Sequence, residues 1–196
     1  MKKLVIFLLA TFLSGSAFSQ EFSQYLSTAK SAYSSGKLED ARFAMQQMMM
    51  ELDKQSGREL LKIFPGKLES LSVNAGADEV SGSSSFTGVI TQRSYGAGAQ
   101  TAELQVITNS PMVAALNSLL SLPFVTSSDP NQKRIKVNGY KGLINRQSDE
   151  SGPAQYEAQI PFGSALLTLK TTGISEDEIT RMVNSLPIAE IAKKVQ

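Results

Sequence analysis

Residues 4–13 form an apolar run, with Thr11 its one polar residue, and beyond it the apolar positions become periodic, first in a helical and then in a strand rhythm. Phe22, Tyr25, Leu26, Ala29, Ala32 and Tyr33 recur at i, i+3, i+4 and i+7, which predicts an amphipathic helix. Ser34-Ser35-Gly36 ends it, with Gly36 suited to the left-handed position past a helix C-terminus. Leu38, Ala41, Met45, Met48, Met49 and Leu52 repeat the spacing in a second helix. Ser56-Gly57 predicts a break or a kink, and residues 58–64 a short third helix stopped by Pro65-Gly66.

After Pro65 the period changes to two. Leu68, Leu71 and Val73 suggest a short strand, and the Gly, Ala, Ser and acidic residues of 74–85 a loop. Residues 86–95 and 101–108 read as a hairpin around Gly96-Ala97-Gly98-Ala99. Pro111, behind Asn109 or Ser110 as cap, opens a helix over 112–122 that is apolar almost all round. Asn138-Gly139 joins strands at 135–137 and 140–144, the strongest hairpin signal in the chain. A last hairpin spans 156–160 and 165–169, with Pro161-Phe162-Gly163 as its turn. Ser175 and Glu178 have the spacing of a capping box, launching a helix that Pro187 divides from a final one ending near Lys193 and Lys194.

Strands joined by short turns make an antiparallel sheet, so the expected class is α+β: an N-terminal helical hairpin followed by an antiparallel sheet with helices packed on one face. The expected division is a signal peptide at 1–19, a helical arm at 20–65 and an α+β domain at 66–196. Lys2 and Lys3 precede the apolar run, which suits a signal-peptide core and is short for a membrane span. Ala17-Phe18-Ser19 offers small residues for cleavage after Ser19, or alternatively after Ala17. With no cysteine there is no lipid-modified anchor, so a periplasmic or secreted protein without an integral span after cleavage is expected. Removing Lys2 and Lys3 turns the formal charge of +1 into −1, which gives no basic footprint for nucleic acid.

The spacing of Tyr25, Ala29, Tyr33, Gly36, Leu38 and Ala41 resembles one tetratricopeptide repeat, with Met45 and Met48 where that repeat has a larger aromatic and a small residue. The match covers about 30 residues with no second copy, and such repeats need about three neighbours to bury a core. It therefore implies a helical hairpin and not a peptide-binding solenoid. From residue 66 onward, the element order, the stretch Lys-Arg-Ile-Lys-Val-Asn-Gly-Tyr-Lys-Gly from Lys133 and the helix entry from Thr172 look similar to small exported bacterial domains of the PsbP-like kind. That resemblance implies a non-catalytic binding role and assigns no ligand or residue.

Absent residue types narrow the chemistry further. The chain has no histidine, cysteine or tryptophan, which removes the usual proton shuttle, the thiolate nucleophile and the common zinc ligands. Ser27–Lys30 and Ser34–Lys37 have a Ser-x-x-Lys spacing that chance alone produces in so serine-rich a chain. The acidic pairs Glu39-Asp40, Asp149-Glu150 and Glu176-Asp177 sit at helix starts or in a polar loop, without a sugar-binding aromatic platform. No catalytic, cofactor-binding or metal residue is expected. Met45 and residues 48–50 read as a pliable core seam or as a thioether surface.

The most suggestive segment is apolar. Met112, Leu116, Leu119, Leu120 and Phe124 form either a core helix or an apolar binding face, which Arg93, Tyr95 and Tyr140 could edge. The expected function is a non-enzymatic binding or protein-interaction module. Its partner is a protein or an apolar ligand, and its oligomeric state is open. The alternative is a chaperone-like envelope assembly or stress factor that holds apolar segments.

Overall fold

Gly36, at φ +69°, turns the chain between helices α1 (Ser16–Ser34) and α2 (Leu38–Ile63). The Lys37 N–H donates to the Ala32 carbonyl at 2.9 Å and the Gly36 N–H to that of Tyr33 at 3.0 Å, the paired bonds of a Schellman ending. The computed structural model describes residues 16–82, 88–121, 131–147 and 152–195, with side chains from residue 20 onward. Most of the expected signal segment therefore lies outside the described residues. Two compact units divide between Asp53 and Lys54. In the first, α1 buries Ala29 and Ala32, and α2 buries Ala41, Ala44 and Glu51.

The second unit begins inside α2. The helix continues through Ser56-Gly57 to Ile63, so the break and the separate third helix expected from sequence do not occur. A Cβ on Gly57 would stand 2.5 Å from Thr91 Oγ1 and 2.7 Å from Val80 Cγ1. The glycine serves close approach of the helix to the sheet, which outweighs its poor helix propensity.

Two short strands, β1 (Lys67–Leu68) and β2 (Leu71–Ser72), pair with each other. A 3-10 turn, Ala75–Ala77, and an edge strand, β3 (Glu79–Gly82), occupy part of the expected loop. Val80 is the only large apolar residue of β3, so alternation could not reveal a strand held by its bonds to the next one. There follow β4 (Val89–Ala97), β5 (Gln100–Ile107), α3 (Met112–Ser121), β6 (Gln132–Val137), β7 (Tyr140–Gln147), β8 (Gln155–Phe162), β9 (Ala165–Thr172), α4 (Glu176–Ser185) and α5 (Ile188–Val195). The large sheet is antiparallel, in the order β3-β4-β5-β9-β8-β7-β6. The expected α+β class is the one found.

Asn138 and Gly139 both have positive φ, as the turn between β6 and β7 requires. Ser175 and Glu178 make the reciprocal bonds of the capping box. Pro161 and Phe162 extend β8 instead of turning it, and Gly163-Ser164 makes the turn. Pro161 lies past Gln159, where the pairing of β8 with β7 ends, so its missing N–H is not needed there.

The two faces of the sheet carry separate apolar clusters. On one face Tyr95, Leu104, Leu167, Leu169 and Ile160 pack with Leu60 and Phe64 of α2, Ile179 and Met182 of α4, and Ile188 and Ile191 of α5. On the other, Leu143 and Leu166 meet Val113, Leu116 and Leu120 of α3. Thus α4 and α5 share one face with the end of α2, and α3 lies on the reverse.

Candidate functional surface

The expected apolar face on α3 is split by the fold. Leu116 and Leu120 are buried, Leu119 is half-buried against the same small cluster, and Met112 is exposed. Phe124 lies outside the described residues. The outer side of α3 carries Ala114, Ala115, Asn117 and Ser118, which are small or polar. Arg134 donates from Nη2 to the Leu119 carbonyl at 3.0 Å, tying the end of this helix to β6.

The three residues suggested as an edge stand elsewhere. Arg93 and Tyr95 alternate with Ser94 on β4, and Tyr95 belongs to the cluster opposite α3. Tyr140 meets Phe162 edge to face, with ring centroids 6.0 Å apart, on that same side.

Arg93 and Tyr95 instead close the end of α2. Arg93 donates from Nη1 to the Phe64 carbonyl at 2.9 Å, and the Tyr95 hydroxyl donates to the Pro65 carbonyl at 2.9 Å. Phe64 and Pro65 follow the last helical residue, and these side chains bind the carbonyls just past the helix end. Asp78 holds the Arg93 guanidinium, and this hydrogen bond is the main cause that raises its pKa. Burial pushes the Tyr95 phenol up to about 12.

A polar surface that sequence reasoning did not single out lies on the α3 side of the sheet. Gln92, Gln105, Thr168 and Gln159 stand opposite one another across β4, β5, β9 and β8. The next row runs Ser94, Glu103, Lys170, Glu157, Asn145 and Gln132. Gln105 donates to Gln92 at 3.1 Å, Gln92 to Glu103 at 3.0 Å, and Gln159 to Glu157 at 2.9 Å. Lys170 stands between the two glutamates, a favourable cross-strand order. These side chains largely satisfy each other. Their signal in the sequence was glutamine at the outward positions of alternating strands.

Among the described residues, most exposed large apolar side chains lie in the helical pair. Seven of the eight belong to α1 or α2: Leu26, Tyr33, Leu38, Phe43, Met45, Met49 and Leu52. At about 100° per residue, positions 38, 45, 49 and 52 fall within about 60° of one another. Their exposures are 61, 45, 55 and 45%, so they form an open stripe along α2 beside the buried Ala41 and Ala44. The reading of Met45 and Met49 as core seam is therefore corrected; Met48 and Met50 are half-buried. The helix sets its small residues inward and leaves these large ones in water.

Among the described residues no group of three or more acidic side chains is arranged to hold a metal, and no helix is long and apolar enough to cross a membrane. Compared with protein-family models, with curated protein sequences and with solved structures, the chain matches none.

Proposed function

We propose that this chain is an exported, non-enzymatic protein-interaction module whose helical pair presents the docking surface. The observation that carries the reading is the open stripe of Leu38, Met45, Met49 and Leu52 on α2. Scattered exposed apolar residues are ordinary, but a contiguous row on one helix face marks an interaction surface. Its ligand is an apolar helix face on a protein, because a helix stripe fits a helix or groove of matching spacing. Export is supported by the basic start, apolar run and small-residue cleavage site of residues 2–19. A binding role also agrees with the similarity of the sheet domain's element order to PsbP-like domains.

The methionines favour a second reading. Met45 and Met49 are unbranched and polarizable, so the stripe can adapt to more than one apolar segment, as a chaperone-like factor requires.

A photo-crosslinking residue placed at position 49 in the full chain, expressed in its own cells, tests the interaction. A discrete adduct is expected, lost when Met45 and Leu52 are both changed to serine. The absence of any adduct, with an equally exposed control position on α4 behaving the same, overturns the reading.

A further inference from the structure

Arg42 and Asp53 flank the α2 stripe on the same edge, within about 20° of each other around the helix axis at about 100° per residue. They are eleven residues apart, so a rise of about 16 Å keeps them from meeting within one helix. Asp53 is half-buried, and burial raises its carboxyl pKa. Among the described residues, no hydrogen bond or ion pair of its side chain offsets that burial. Arg42 reaches only Glu39, at 3.8 Å, with both side chains largely in water, a contact of little energy. One edge of the stripe thus carries a carboxylate without a cation and an arginine weakly held.

We infer that the stripe docks a second copy of this chain, α2 against α2 in antiparallel order, with Arg42 of each copy paired to Asp53 of the other. The inference rests on the proposed interaction role of the helical pair and assigns its partner. A two-fold axis perpendicular to the two helices brings residues together when their numbers share one sum, and it sets like edges side by side. An axis opposite Gln47 places Met45 against Met49 of the second copy. The same axis brings Arg42 level with position 52 of the second copy, one residue or about 1.5 Å of rise from Asp53. Each pair occurs twice by symmetry, and both pairs lie along one edge of the apolar stripe. A parallel arrangement sets opposite edges together and leaves both Asp53 carboxylates without a cation.

Sedimentation equilibrium of the full chain purified from its expressing cells tests this directly, with circular dichroism to confirm that each variant is folded. The wild-type chain is expected to dimerise. Arg42→Glu or Asp53→Arg alone should weaken the dimer by about tenfold, since symmetry doubles each new repulsion. The two reversals together should restore it to within about threefold of wild type. Equal affinities for wild type and both single variants overturn the proposed register. A wild-type chain that stays monomeric overturns self-docking. In that event an adduct from position 49 with a different protein leaves the interaction role standing, whereas no adduct removes both.

Discussion

Arg93 grips Asp78 with two hydrogen bonds, from Nε to Oδ1 at 2.9 Å and from Nη2 to Oδ2 at 2.6 Å. Its remaining Nη1 reaches the Phe64 carbonyl at the end of α2. One planar group thus joins the helix end, β4 and the segment leading into β3. Both side chains are more than four-fifths buried, which places the pair well inside the range where ion pairs matter structurally.

Breaking that pair from one side should be costly. Arg93→Met leaves the Asp78 carboxylate and the Phe64 carbonyl without their donor, and a loss of about 3 kcal/mol is expected. Arg93→Lys should lose about 2 kcal/mol, because an ammonium cannot make the forked contact. Urea unfolding of the three chains reads the difference, and losses below about 0.5 kcal/mol, the range of an ordinary surface change, would refute a structural role for the pair.

Gly57→Ala sets helix propensity against packing. Propensity alone favours alanine by about 1 kcal/mol. The new Cβ would meet Thr91 Oγ1 at 2.5 Å and Val80 Cγ1 at 2.7 Å, which forces the helix outward. Overpacking costs about 1–3 kcal/mol, so a net loss of stability is expected, partly recovered by adding Thr91→Ala. A thermal melt showing that Gly57→Ala alone stabilises the protein would mean that α2 is free to shift.

Tyr95 should give the protein an alkaline limit. Its phenol titrates at about 12 in the fold, against an ordinary 10, because burial disfavours the phenolate. A raised folded pKa contributes stability that is complete below pH 10 and is lost as pH rises through 12. Phenolate absorbance should therefore show one of the five tyrosines titrating late. Tyr95→Phe should remove the late step and cost about 1 kcal/mol at neutral pH, through the unpaired Pro65 carbonyl. A single tyrosine transition near pH 10, unchanged in the variant, would contradict the buried phenol.

Two substitutions on α3 separate core from surface. Leu116→Ala removes a side chain packed on Leu143 and Leu166 and should cost about 2–4 kcal/mol. Met112→Ala, on an exposed residue four positions earlier, should change stability by less than about 0.5 kcal/mol. Equal losses at both positions would mean that α3 is held on both sides.

Legibility varied with the range of the interaction. Asn138-Gly139 and the Ser175–Glu178 box read directly, because each is closed by bonds within a few residues. The reason for Gly57 does not show in the local pattern, because it lies on Thr91 and Val80, more than twenty residues away. Edge strand β3 was hidden because one valine cannot display alternation. The apolar segment 112–125 looked uniform around the helix, yet only Val113, Leu116 and Leu120 of α3 are buried, since the sheet covers a single side.

Local pattern was enough for the class of this protein: helix or strand follows from the spacing of apolar residues, and the turns follow from Gly, Asn and Pro. Sheet order, the face that α3 takes and the open stripe on α2 were decided only in three dimensions. Leu38, Met45 and Met49 have the same spacing and chemistry as residues that do become buried. Which edge of an apolar stripe stays in water depends on what packs beside it, and a one-dimensional pattern contains no neighbour across space.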